Sequence, residues 1–233
     1  MQINKAMILA AGYGKRLLPL TTKIPKPLIK IGQKNFLERA IEILIKIGVK
    51  EIVINVHYLP EQIKLFLKNY KNNISIKIIE EKGLILDTGG GILNATKNFK
   101  DESFYVLNPD TIWSKNYFEE LKILENLYYE IKNPVLLLVD KKNAHDKSFK
   151  GDFNLNINKL ITRDKENKYI FTGAQILNRK IFDGVKDQIF SMNKVWNKLI
   201  KQKSLFGLES NQTFFHVNSL DAYKELKNSK FID

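Results

Sequence analysis

Twenty residues near the start of the chain, LAAGYGKRLLPLTTKIPKPL (9–28), combine two glycines, an arginine, three prolines and three lysines directly behind an apolar run. Glycines after a strand expose backbone N–H groups to an anion, so Ala11, Gly12 and Gly14, with Arg16 close behind, are candidates for phosphate binding. The dinucleotide fingerprint requires a third glycine three residues after the second, and Leu17 stands there. The P-loop requires Gly-Lys-Ser/Thr, and Gly14-Lys15 is followed by Arg16. Proline fixes φ and biases the preceding residue away from the helical region, so the segment is expected to be extended and loop-like, with Lys26 presented at a fixed place between Pro25 and Pro27.

Further along, Gly89, Gly90 and Gly91 precede a helical stretch, where missing side chains let a flat base or ribose approach the backbone, or where they simply turn the chain into the helix. Asp110 follows Asn108-Pro109 at the end of a strand-like run, where an aspartate caps a turn.

These groups need a scaffold, and the hydrophobic pattern supplies one. Continuous apolar strands are expected at 5–10, 51–56, 103–108 and 135–140, and an alternating one at 74–80. Between them fall helices over 35–48, from Pro60, over GGILNATKN (90–98) and over 116–130. Strands apolar throughout are buried on both faces, so the fold class is α/β, a Rossmann-like, mainly parallel central sheet with helices on both faces. After about Lys141 the expectation is short strands at DFNLN, LITRD and YIFTGAQIL, a helix near 195–203, a strand near 213–217 and a last helix from Leu220. That half reads as an insertion plus closing elements on the same sheet: one domain over 1–233, with a first half over 1–140 and a closing half over 141–233.

Composition sets the outer bounds. The chain has 233 residues, 44% hydrophobic, enough for a packed core. It has no cysteine, which excludes disulfides and thiolate metal sites and accords with the cytoplasm. No apolar run reaches the about 18 to 20 residues of a membrane span, and Gly12, Lys15 and Arg16 interrupt the N-terminal run too early for an export signal. The net charge of +13 is spread along the chain without a basic block, so neither a nucleic acid nor a membrane surface is the expected partner.

The 9–28 stretch resembles the signature of the sugar-1-phosphate nucleotidyltransferases, L-A-A-G-x-G-x-R-L-x-P-L-T followed by P-K-P-L. DTGGGI (87–92), VLNPD (106–110), GDF (151–153), FTGAQIL (171–177) and FFHVNSLDAY (214–223) fall in that family's order. Within it, the TGGGI segment and chain length look most like the N-acetylmuramate-1-phosphate uridylyltransferases, with mannose-1-phosphate guanylyltransferases as the alternative. The resemblance implies a single nucleotidyltransferase domain without the β-helix some relatives append, acting as monomer or homodimer. Its substrates would be UTP or GTP and a sugar-1-phosphate, with Mg²⁺ or Mn²⁺ as cofactor. It makes Arg16 and Lys26 catalytic. Leu9, Ala10, Ala11, Gly12, Gly14, Gly89, Gly90 and Asn108 become nucleotide-binding, Asp152, Thr172 and Gly173 sugar-phosphate-binding, and Asp110 the metal ligand. A binding-only relative would have lost Arg16, Lys26 or Asp110, and all three are present.

Two departures stand out. Pro109 replaces the family's glycine, and His216 occupies the place of the second metal-binding aspartate. Three readings of His216 stand: a ligand, for Mn²⁺; an imidazolium on phosphate; or a weakened site in which Asp110 holds the metal with substrate oxygens and water.

Overall fold

The computed structural model describes residues 2–71, 73–100 and 102–227. Seven strands form the main sheet: β1 (Lys5–Leu9), β2 (Glu51–Val56), β3 (Ser75–Glu80), β4 (Ser103–Leu107), β5 (Val135–Asp140), β6 (Tyr169–Asn178) and β7 (Phe206–Ser210). Their spatial order is β7-β5-β6-β4-β1-β2-β3. All neighbouring pairs are parallel except those of β6, which runs antiparallel to both β4 and β5.

Six helices cover the sheet: α1 (Phe36–Lys46), α2 (Pro60–Asn69), α3 (Asp87–Ala95), α4 (Tyr117–Ile131), α5 (Met192–Lys201) and α6 (Leu220–Lys227). Their ends follow local chemistry. Asn35 accepts from the Glu38 N–H while the Glu38 carboxylate accepts from the Asn35 N–H, a reciprocal cap that starts α1. Proline at the first helical position starts α2, where its missing N–H costs nothing.

Alternation along the central strands sends side chains to two cores. Ile8, Ile54, Leu107 and Leu137 pack under α1 and α4; Met7, Val53, Val106 and Leu138 pack under α3 and α5. Among the described residues no helix is long and apolar enough to cross a membrane.

Four sequence expectations are corrected. The proline-rich loop is not extended: it folds into three short 3₁₀ turns, Lys15–Leu17, Leu20–Thr22 and Lys26–Leu28, since a proline-restrained φ suits a tight turn as well as an extended chain. Gly89, Gly90 and Gly91 lie inside α3, which begins two residues earlier at Asp87. DFNLN and LITRD shrink to a two-stranded ribbon of Asn154–Leu155 with Ile161–Thr162.

The strand expected near 213–217 does not form. Its backbone serves two loops at once: Phe214 exchanges hydrogen bonds with Asn143 and His145 on one side, while Phe215 and Val217 bond Ile112 and Asp110 on the other. The seventh strand is FGLES (206–210) instead, whose Gly207 and Glu209, on either side of Leu208, hide it from a hydrophobic pattern.

Candidate active site

In an open, mostly parallel sheet, ligands bind in the crevice beyond the carboxyl ends of the strands. Here the ends of β1, β2 and β4 and the segment after β3 enclose a pocket of about 380 Å³.

The loop after β1 is pinned at its root and open at its tip. Ala10 N–H donates to Asn55 Oδ1 at 2.9 Å, tying the end of β1 to the end of β2. Gly14 has φ +65°, and its carbonyl accepts from Leu17 N–H and Thr21 Oγ1. A side chain at Gly14 would lie 2.8 Å from Thr21 Cγ2 and 3.1 Å from Lys26 Cβ, so this glycine is what lets Lys26 pack against the loop. Nothing lies within 4 Å of where a Gly12 side chain would be, so that part of the loop faces open space.

The loop after β4 is held from three directions. Asn108 N–H donates to Gly173 carbonyl at 2.8 Å, Trp113 Nε1 donates to Asn108 carbonyl at 2.8 Å, and Val217 N–H donates to Asp110 carbonyl at 3.0 Å. The result fixes Asp110, whose Oδ2 meets Lys26 Nζ at 2.6 Å and stands 3.7 Å from His216 Nε2.

Burial would push the Asp110 carboxyl up, but the Lys26 ammonium and His216 beside it hold it at about 2. His216 goes the other way. Burial lowers its pKa, and Lys26 and Arg16 add to that against the pull of Asp110, so the imidazole is neutral at pH 7. Its ring stacks on Phe214 at 5.7 Å and meets the edge of Phe149 at 5.9 Å. Burial and the two cations thus oppose the imidazolium form of His216, and the Asp110 carboxylate favours it.

Asp110 Oδ1 is buried without a hydrogen-bond partner, as is His216 Nδ1. An unpaired carboxylate oxygen fits a hard cation, and Mg²⁺ is commonly held by one or two carboxylates with phosphate oxygens and water completing the shell. Among the described residues no three His, Asp or Glu side chains converge, so the donor set fits a cation shared with a substrate and not a closed protein cage.

Of the residues singled out in the sequence, Leu9, Ala10, Ala11, Gly12, Gly14, Arg16, Lys26, Asn108 and Asp110 line this one pocket, with His216 against Asp110. The rest are elsewhere. Gly89 and Gly90 donate their N–H groups to Phe190 carbonyl, and side chains there would strike Phe190 and the Gln188 carbonyl, so on that side these glycines admit a neighbouring segment of the protein. Thr172 is fully buried in the sheet, its hydroxyl donating to Leu137 carbonyl at 2.9 Å. Gly173, at φ +95°, sits where the register of β6 shifts, and a side chain would lie 2.9 Å from Asn108 Cβ; it makes room for the Asp110 loop. Asp152 is exposed and accepts from Phe171 N–H at 2.9 Å, away from the pocket wall.

Sequence reasoning missed Lys15, Asn55, Ile85, Asp87 and Thr88, which also line the wall, with Leu17, Pro27 and Pro109 beside them. It also missed Glu81, a buried carboxylate that accepts from Asn55 Nδ2 at 2.7 Å and Leu86 N–H at 2.8 Å, linking the ends of β2 and β3. Asn55 stands in EIVINV, where a polar residue following the apolar run Ile52-Val53-Ile54 was the available signal.

Residues 5–149, more than half of the chain, match the Nucleotidyl transferase family, and that match includes both loops carrying Arg16, Lys26 and Asp110. The chain belongs to this family. Among its relatives in the nucleotidyl transferase family, a probable mannose-1-phosphate guanylyltransferase of Oryza sativa subsp. japonica is 31% identical over 212 residues. The mannose-1-phosphate guanyltransferase of Candida albicans is 32% identical over 218 residues. In both, the alignment takes in 88% of this chain and 58% of the relative, so the chain spans little more than half the length of these proteins. The fold is that of a UDP-glucose pyrophosphorylase solved with UDP-glucose, at a TM-score of 0.80 and 18% identity over 97% of this chain and 98% of the other. HddC from Yersinia pseudotuberculosis gives 0.76 and 24% over the same shares.

Proposed function

We propose that the chain joins the nucleoside monophosphate part of a nucleoside triphosphate to a sugar-1-phosphate, releasing a nucleoside-diphosphate sugar and pyrophosphate. The observation that carries this reading is the 2.6 Å pairing of Lys26 with Asp110 beside the open Gly12 loop, a cation and a metal-competent acid at one point. A sugar-1-phosphate oxygen forms a bond to the α-phosphorus as the bond from that phosphorus to the β-phosphate bridge oxygen breaks. Such transfer calls for positioning and charge neutralisation.

Each residue has a part in that chemistry. The backbone of Ala11, Gly12 and Gly14 receives the triphosphate. Arg16 neutralises the leaving pyrophosphate, as a guanidinium fork suits a dispersed anion. Lys26 leaves Asp110 and takes the α-phosphate and the incoming phosphate, where its compact charge follows the reacting centre. Asp110, whose Oδ1 has no hydrogen-bond partner, would hold Mg²⁺, with His216 alongside as a neutral neighbour. A metal held there would supply neutralisation of phosphate charge.

GTP with mannose-1-phosphate is the first substrate pair, supported by the names of the curated relatives. UTP with N-acetylmuramate-1-phosphate is the second, favoured by the DTGGGI segment (87–92). Purified protein is incubated with UTP or GTP, a panel of sugar-1-phosphates and Mg²⁺ or Mn²⁺, and pyrophosphate is measured. Release with one pair above the rest is the expected result; no release with any pair sinks the proposal.

A further inference from the structure

The pocket is chemically lopsided. Arg16, Lys26 and Asp110 stand beyond β1 and β4, while Asn55, Ile85, Asp87 and Thr88 stand beyond β2 and β3. Strands β4, β1, β2 and β3 lie side by side in that order, so the two outer members are about 14 Å apart at the usual strand spacing. If the phosphates lie among the cations, the ribose falls over the open Gly12 and the base reaches the β2 and β3 side. This placement rests on the proposed nucleotide substrate.

The polar side chains at that far end are mostly committed. Asn55 uses its oxygen for Ala10 N–H and its nitrogen for Glu81. Thr88 Oγ1 accepts from Met192 N–H at 2.9 Å. Asp87 differs: it is exposed to the pocket, one carboxylate oxygen accepts from Thr88 N–H at 2.5 Å, and the other oxygen keeps its acceptor capacity.

A carboxylate accepts hydrogen bonds and donates none, and it repels phosphate. Its match on a nucleotide is an N–H. Guanine and uracil carry an imino N–H on the pairing edge, whereas cytosine and adenine carry a lone-pair nitrogen at the corresponding place, which faces a carboxylate with repulsion. We propose that Asp87 is the base-specificity residue: it accepts the imino N–H of guanine or uracil and disfavours cytosine and adenine, which offer a carboxylate only their exocyclic amino group beside a repelling ring nitrogen. Specificity built this way combines an attraction with a repulsion.

Asp87 has φ +59°, a conformation that Asn and Gly also adopt readily, so Asp87→Asn and Asp87→Gly preserve the backbone. Binding of GTP, UTP, CTP and ATP with Mg²⁺ is measured by equilibrium dialysis, independent of turnover. The wild-type protein is expected to bind GTP or UTP more tightly than CTP and ATP. Asp87→Asn is expected to weaken that preferred nucleotide by about ten- to a hundredfold while leaving CTP and ATP unchanged or improved. Equal weakening of all four in both variants would assign the residue to the ribose or to the fold and overturn the proposal, as would no change in any. Failure of the wild-type protein to bind any triphosphate would instead overturn the nucleotide reading beneath it.

Discussion

Lys26 and Asp110 neutralise each other in the ligand-free protein, so each is held in place by the partner it must give up. Lys26→Ala removes a charge aimed at the reacting phosphorus, and kcat is expected to fall by about a hundred- to a thousandfold in a pyrophosphate-release assay. An unchanged kcat would take Lys26 out of the reaction. Asp110 also carries a stability signature. Its carboxyl titrates at about 2 in the fold against an ordinary 3.8, so it contributes stability that is present above about pH 4 and lost as the pH falls towards 2. The group is about one-fifth exposed, and the contribution is roughly 2 kcal/mol. Urea unfolding of Asp110→Asn should show a flatter loss of stability between pH 4 and pH 2 than wild type. An identical slope would mean that the pairing holds no net stability. The cationic half of this site was readable because Arg16 and Lys26 sit in a dense run of stiffening residues. Asp87 and Asn55 were not, since their roles depend on which strands end side by side.

At the scale of elements, glycines in two places do opposite jobs. Gly89, in α3, touches the Phe190 ring so closely that no side chain fits, while Gly12 faces empty pocket. Gly89→Ala is expected to cost about 1 to 3 kcal/mol in urea unfolding, as overpacked cores do. Gly12→Ala should leave stability within about 0.5 kcal/mol, the usual effect of a surface change, and weaken triphosphate binding instead. The reverse pattern would return the glycine-rich stretch of α3 to the ligand. From sequence the two sets looked alike, because glycine reports that something comes close and not what. The elements themselves were legible wherever apolar periodicity was strong: EIVINV, VLLLVD and the starts of α2 and α6 fall where the pattern puts them. Strand β7 escaped notice because Gly207 packs under Leu138 with no side chain of its own, and TFFHV (213–217) misled because its backbone is divided between two loops.

Across the whole molecule, strands from both halves of the chain join a single sheet, with β6 and β7 of the later half flanking β5 of the earlier one. Alternating apolar strands and helices announce such a sheet, but its strand order cannot be read from them. Antiparallel β6 lies between β4 and β5, and that insertion brings Gly173 against the Asp110 loop. The net charge of +13 acts at this same scale. No basic block marks a polyanion surface, yet a positive molecule draws a triphosphate from a distance, and Lys15, Arg16 and Lys26 focus that field at the pocket. Added salt screens such attraction beyond about 8 Å at 0.15 M, and it reaches the paired, partly buried groups of the site far less. Raising monovalent salt from about 0.02 to 0.3 M at constant free Mg²⁺ is therefore expected to lower kcat/KM for the triphosphate by about tenfold, with kcat changing less than twofold. A fall in kcat of the same size would place the salt-sensitive charges in the reaction itself, and a flat kcat/KM would mean that the surplus lysines serve only the surface.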